Sequence, residues 1–222
     1  MIFKDRTDAG RKLAARLTRY ADRGDVLVLA LPRGGVPVAF EVAKELKAPL
    51  DVFLVRKLGV PGHEELAMGA LAADGLRFIN DELVDYLGIP NEVIEEIAGV
   101  EQRELDRQAE IYRANRPPPD VKDRVVILID DGLATGSTMR AAAASLRLKK
   151  PRRIVVAVPV SSPETCDEFR TEVDEIECAF TPNNLQGVGL WYDDFSQTSD
   201  EMVRELLKRA TQNEQHVAAS GL

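Results

Sequence analysis

Cysteine is scarce in this 222-residue chain: Cys166 and Cys178 are the two, with no histidine or third cysteine beside either. Neither a disulfide framework nor a zinc site is expected from them, and both read as small buried or half-buried side chains. Aromatic residues make up 5% of the chain and histidine occurs twice. No apolar run approaches the roughly 20 residues that a membrane helix needs. The N-terminal stretch MIFKDRTDAGRK has no secretory apolar region. No membrane association is expected, therefore, and the expected location is cytoplasmic. A surplus of positive charge is also missing, because 29 Lys and Arg against 37 Asp and Glu leave a net charge of −8. Phosphate contacts dominate nucleic-acid affinity and require a basic face, so no nucleic-acid partner is expected. Any cation that meets an anionic ligand must be local, and Arg33 and the pair Arg56–Lys57 stand out because both follow expected strands.

Internal repeats are not evident, and 45% hydrophobic residues over this length suffice for one full core. Asp5 to Tyr20 reads as an amphipathic helix. Val26 to Leu31 and Asp51 to Val55 read as strands on either side of a helix, Val36 to Leu46. That order favours a parallel sheet with right-handed crossovers. Leu58 to Glu65, carrying Gly59, Pro61 and Gly62, reads as a mobile loop. Leu66 to Leu71 and Leu76 to Ile79 read as a small hairpin. A short helix from Asp81 with Asn80 as its N-cap follows, then a long charged helix over Asn91 to Ala114, ended by Asn115-Arg116 and three prolines. Arg153 to Val160 and Ile176 to Phe180 are expected strands around a helical Pro163 to Arg170. Thr181 to Phe195 reads as irregular, Ser199 to Ala210 as a last helix, and 211–222 as a frayed tail.

The densest chemistry lies in Val125 to Met139, VVILIDDGLATGSTM. Val125 to Ile129 is a continuous β-branched and leucine run, as expected of a strand buried on both faces of a parallel sheet. Asp130 and Asp131 fall at its C-terminal end, where open α/β sheets place their ligands. Gly132, Gly136 and the hydroxyls of Thr135, Ser137 and Thr138 follow, and an alanine-rich helix, Thr138 to Leu148, begins there. Backbone N–H groups in such a turn, with the helix N-terminus, form a phosphate cradle. Two carboxylates beside it suit a ligand that brings a phosphate to the loop and a vicinal diol to the acids, as a ribose 5-phosphate does. A P-loop would need a lysine after its last glycine, and a dinucleotide fingerprint three spaced glycines; neither pattern is here.

This arrangement resembles the phosphoribosyl pyrophosphate (PRPP) loop of the type I phosphoribosyltransferases. The resemblance spans roughly Val26 to Phe180. It implies an α/β fold with a twisted, mainly parallel sheet flanked by helices, a flexible loop or hairpin, and a small hood. It also implies one domain over 1–210, with its core at about 26–180 and its hood at about 1–20 and 181–210. Asp130 and Asp131 would bond the ribose hydroxyls and meet Mg²⁺, in part through water. Gly132, Ala134, Thr135, Gly136, Ser137 and Thr138 would hold the 5-phosphate. Leu31-Pro32-Arg33-Gly34-Gly35 looks like the family's pyrophosphate loop, which often carries a non-proline cis peptide, here at Pro32–Arg33. Arg56 and Lys57 would face the same pyrophosphate. His63, Glu64 and Glu65 lie in the segment expected to close over the reaction, where a carboxylate could take a proton from the incoming base.

The implied activity is transfer of ribose 5-phosphate from PRPP to a nitrogenous base, with Mg²⁺ as cofactor and pyrophosphate as leaving group. A PRPP-sensing regulator acting through a protein partner is the alternative, and a pyrophosphokinase relative a third reading. Relatives acting on 6-oxopurines commonly carry Asp where this chain has Ala134, which disfavours hypoxanthine and guanine without naming the acceptor. Trp191, Tyr192 and Phe195 are the candidates to stack on the base, with Asn183, Asn184 or Gln186 reading its edge. Homodimers are common in the family, although no stripe in this sequence requires one.

Overall fold

The structure, a computed structural model, describes residues 2–113 and 116–220, the last seven of these by backbone alone. In chain order the elements are α1 (Arg6–Ala14), β1 (Val26–Ala30), α2 (Gly35–Leu46), β2 (Leu50–Val52), β3 (Val55–Val60), β4 (His63–Ala72), β5 (Arg77–Ile79) and α3 (Asp81–Leu87). They continue as α4 (Asn91–Arg113), β6 (Val125–Ile129), α5 (Ser137–Leu148), β7 (Arg153–Val160), α6 (Pro163–Glu172), β8 (Glu175–Phe180) and α7 (Asp200–Ser220).

Five strands form one parallel sheet in the order β2-β1-β6-β7-β8, and β3, β4 and β5 form a separate antiparallel sheet. Alternate residues of β1 feed two cores: Val26, Val28 and Ala30 pack on one face with α1, α2 and α7, and Leu27 and Leu29 pack on the other with α5 and α6. All five residues of β6 are buried, which is why its sequence is apolar without alternation. Burying each such side chain contributes about 1.5–3 kcal/mol relative to leaving it in water. The twisted parallel sheet flanked by helices matches the fold class read from the sequence.

Several boundaries differ from that reading. α1 ends at Ala14, and a separate 3-10 turn, Thr18–Tyr20, follows. The amides of Arg16 and Leu17 bond Leu13 and Ala14, three residues back, which tightens the chain and turns Leu17 and Tyr20 into the core. The apolar run 51–55 is split, because β2 stops at Val52 and Val55 opens the second sheet. Arg56 and Lys57 therefore lie inside β3 rather than at the end of a core strand.

The segment Leu58–Glu65 is not a loop but the paired tip of a hairpin that turns at Pro61–Gly62, with Gly62 at φ +76. Gly59 sits at the irregular register there, where a Cβ would come within 2.9 Å of the Glu64 carbonyl. The expected hairpin downstream is present as β4 and β5, and Asn80 caps α3 by accepting the Leu83 amide at 3.1 Å. α7 continues past Ala210 to Ser220, and positions 221 and 222 lie outside the described residues. So do 114 and 115, the last residue expected in the long helix and the first of its terminator.

Cys166 and Cys178 are joined by a disulfide, contrary to the expectation from their isolation in the sequence. α6 packs directly against β8, and this tertiary contact brings together two residues that carry no local pairing signal.

Candidate functional site

β1 and β6 pair in register from Val26 with Val125 to Ala30 with Ile129, so their C-terminal ends stop side by side. α2 leaves β1 on one face of the sheet and α5 leaves β6 on the other. The crevice between two such strands is where open α/β sheets bind ligands. Both motifs singled out in the sequence open into it.

From the β1 side, Leu31 N donates to Ile129 O at 2.8 Å, and the Pro32–Arg33 peptide is cis. A Cβ on Gly35 would lie 2.7 Å from the Ile129 carbonyl and 2.9 Å from Asp130 Cα, and one on Gly34 would strike the Asp131 carboxylate. The two glycines therefore let this loop lie directly against the acid pair. Arg33 projects outward, with Nη1 3.7 Å from Asp200 Oδ1 at the start of α7.

From the β6 side, Asp130 Oδ1 accepts the Asp131 amide at 2.8 Å. Burial, reinforced by the neighbouring Asp131 charge, pushes the Asp130 carboxyl well above the usual range. Burial also raises Asp131, against the opposing effect of Arg6. Arg6 Nε donates to Asp131 Oδ2 at 2.8 Å, with Nη2 at the same distance. The Tyr192 hydroxyl donates to the Asp131 backbone carbonyl at 2.6 Å, and burial pushes its pKa up, so it remains a donor.

The loop Ala134 to Thr138 turns through Gly136, the N-cap of α5, at φ +73, and the Ser137 amide donates to Thr135 Oγ1 at 3.4 Å. The hydroxyls of Thr135 and Ser137 lie 3.3 Å apart. The loop is held from below by residues with no place in the motif. Thr165 Oγ1 donates to Ala134 O at 3.3 Å, and Arg140 Nη1 donates to Thr135 O at 2.6 Å. Phe169 fills the space under Gly136, where a Cβ would come within 2.6 Å of its ring.

Arg56 and Lys57 diverge, as neighbours on a strand must. Lys57 Nζ reaches the loop, 3.3 Å from Ser137 Oγ, and pairs with Glu65 at 3.2 Å. Arg56 Nε is held by Glu101 Oε2 of α4 at 2.6 Å. Both line a cavity of about 600 Å³ between the hairpin and α4 that reaches Thr138. Glu64 also lines it, whereas His63 is exposed at the hairpin tip.

The stacking candidates divide. Tyr192 is 3% exposed, packed between Phe3 and Phe195, so its ring is core and cannot take a flat ligand. The Arg6 guanidinium covers Phe195 at 3.9 Å, and Trp191 packs on Phe180 with centroids 5.2 Å apart. Both residues remain half-exposed. Asn183, Asn184 and Gln186 are exposed.

Among the described residues, no group of three or more His, Cys, Asp or Glu side chains is placed to hold a metal ion. Arg6, Tyr192 as a hydrogen-bond donor, Thr165 and Arg140 are the participants that sequence reasoning misses. Arg6 lies 125 residues from its partner, and the β-bridge between Phe3 and Tyr192, with the Asp193 and Asp194 amides donating to Phe3 O and Lys4 O, brings the N-terminal segment here.

Residues 2–194 match the family of the phosphoribosyl transferase domain. Two proteins of Mycobacterium tuberculosis, Rv0571c of strain H37Rv and MT0597 of strain CDC 1551, are each 44% identical over 209 residues, 94% of this chain, and both are named provisionally as phosphoribosyl transferases. This chain spans about half, 47%, of the length of these curated relatives. The crystal structure of TT1426 from Thermus thermophilus superposes with a TM-score of 0.86 at 40% identity, covering 94% of this chain and 99% of that one.

Proposed function

The chain belongs to the phosphoribosyl transferase domain family, and from that premise we propose that it transfers ribose 5-phosphate from PRPP to a nitrogenous base, with release of pyrophosphate. The observation that carries this reading is the meeting of a half-buried acid pair, a glycine loop and the N-terminus of α5 at one crevice. The amides and hydroxyls of Ala134 to Thr138 hold the 5-phosphate. Asp130 and Asp131 accept hydrogen bonds from the ribose hydroxyls, and Arg6 fixes the orientation of Asp131. Gly34 and Gly35 let the backbone approach the pyrophosphate, which Arg33 and Lys57 neutralise as the anomeric C–O bond breaks. Arg56 adds to the field from the wall of the adjoining cavity. Such preorganised charge is the main source of rate when the protein makes no covalent bond itself.

The donor set fits a magnesium ion brought in with the substrate. Two adjacent carboxylates, one already shared with Arg6, make no protein cage, and Mg²⁺ commonly takes most of its ligands from phosphates and water. Once bound at Asp130 and Asp131, directly or through water, the ion would neutralise charge on the pyrophosphate. Residues 1–20 and 181–210 form the acceptor hood in this reading, a composition supported by the pairing of Phe3 with Tyr192. The work of the protein is otherwise to position the sugar and exclude water.

Incubation with PRPP, Mg²⁺ and a pool of purine and pyrimidine bases, followed by mass spectrometry, tests the reading. A new nucleotide is expected, and it should vanish in Asp130→Asn and Asp131→Asn. PRPP binding without any nucleotide would instead favour a sensor acting through a protein partner, and loss of neither activity nor binding in both variants would remove the assignment of the acid pair.

A further inference from the structure

Outside the crevice, a second cavity of about 530 Å³ opens between the C-terminal end of α4 and α7, within the size range of small-molecule sites. Four cations line it: Arg113 and Arg116 from the end of α4 and the segment after it, and Arg204 and Lys208 from α7. Glu201 and Glu205 are the acids of its lining, so cations prevail here in a chain whose net charge is −8. Arg113 is the buried member, 6% exposed. Its Nη2 donates to Val52 O at 2.7 Å, while Nε has no hydrogen-bond partner among the described residues. Burial disfavours its charge, against the pull of Asp51 and Asp74, and nearby Arg116 adds to the penalty. Arg116, Arg204 and Lys208 are exposed and form no ion pair among the described residues. Arg204 and Lys208 stand one helical turn apart on α7, a spacing at which like charges repel. The carbonyl end of α4 accounts for one cation here, not for all of them.

We propose that this cavity is a binding site for a small molecule carrying a polyphosphate chain, separate from the crevice at β1 and β6. An anion there relieves the repulsion among the cations and gives the buried guanidinium a counter-charge. A chain of several phosphates has the length and the charge to meet cations from both helices. Ile111 and Leu207 add an apolar wall, against which the organic part of such a ligand packs. The acidic character of the whole chain favours a small anion over a nucleic acid. No residue of the cavity belongs to the loops assigned to PRPP, so the proposal stands apart from the transferase reading.

Hydrogen exchange during titration with inorganic tripolyphosphate tests the site in three proteins: the wild type, Arg204→Gln/Lys208→Gln and Lys44→Gln/Lys122→Gln. The last is a control with the same change in net charge, made at exposed cations that do not line the cavity. In the wild-type protein, residues 105–113 and 200–212 should exchange more slowly as tripolyphosphate is added. The midpoint of that protection should rise about tenfold in Arg204→Gln/Lys208→Gln and stay at the wild-type value in the control. An absence of protection in the wild type, an unmoved midpoint in Arg204→Gln/Lys208→Gln, or an equal shift in the control overturns the proposal. Protection confined to 31–36 and 130–138 overturns it too, because the anion then sits in the crevice alone. Those two segments report the transferase reading separately, so the failure of one does not pass for failure of the other.

Discussion

Asp130 carries a cost that its neighbours only partly offset. Its carboxyl is raised by burial first and by the Asp131 charge second, with the Asp131 amide and Arg6 pulling the other way. A carboxyl whose folded pKa lies above its unfolded one gives its full stability below the unfolded value, near pH 4, and that stability is lost as pH rises through the folded value. Asp130→Asn removes the titration while its side-chain carbonyl still accepts the Asp131 amide. The variant should melt at the wild-type temperature near pH 4 and about 2–4 °C higher at pH 8, a gain of about 1 kcal/mol. Thermal unfolding across that range checks it, and a constant difference at all pH values would mean that charge is not the cause. The same variant should lose turnover, since function rather than stability explains an ionisable group in this position. The placement of Asp130 and Asp131 was legible in the sequence because they directly follow a continuous apolar strand. Arg6 was not, since it looks like Arg11, Arg16 and Arg19 until the chain folds. Tyr192 read as a stacking residue and is core, because the residue that covers it, Phe3, is remote in sequence.

At the scale of elements, α6 is the support of the loop Ala134 to Thr138. Thr165 ties down Ala134, Phe169 lies beneath Gly136, and Arg140 stacks on Phe169 at 4.9 Å while bonding Thr135 O, Glu168 and Glu172. Phe169 is fully buried, so Phe169→Ala should cost about 3–5 kcal/mol. It should also raise KM for PRPP more than it changes kcat, because the loop would lose its floor while the acids and Arg33 stay in place. Denaturant unfolding and steady-state kinetics read the two effects separately; a KM unaltered in a folded variant would remove α6 from this role. Elements buried on both faces, β6 and β7, were legible to the residue, because a continuous apolar run admits few other structures. The β2–β3 boundary was hidden for the same reason: the run continues through Phe53 and Leu54 while the chain changes sheets. Gly59, Pro61 and Gly62 suggested a loop and serve a bulge and a turn, a distinction set by pairing with β4. The Cys166–Cys178 bond likewise depends on two elements meeting.

At the scale of the whole molecule, a ligand that touches both loops binds the folded chain and not the unfolded one, and so stabilises it. PRPP with Mg²⁺ at a hundredfold over its Kd should add about 2.7 kcal/mol. Hydrogen exchange should show slower opening of β1 and β6 together, and protection confined to one of them would contradict a ligand spanning the crevice. β1 and β6 are neighbours in the sheet, yet α2, β2, the whole antiparallel sheet, α3 and α4 come between them in the chain. Chain growth on the ribosome makes this order matter. A nascent chain displays the Arg33 loop long before it has an acid pair, and a product truncated anywhere before β6 holds half a crevice. Once β6 is inserted between β1 and β7, both halves appear in a single event, so occupancy of the site marks a chain in which β1 and β6 have already paired.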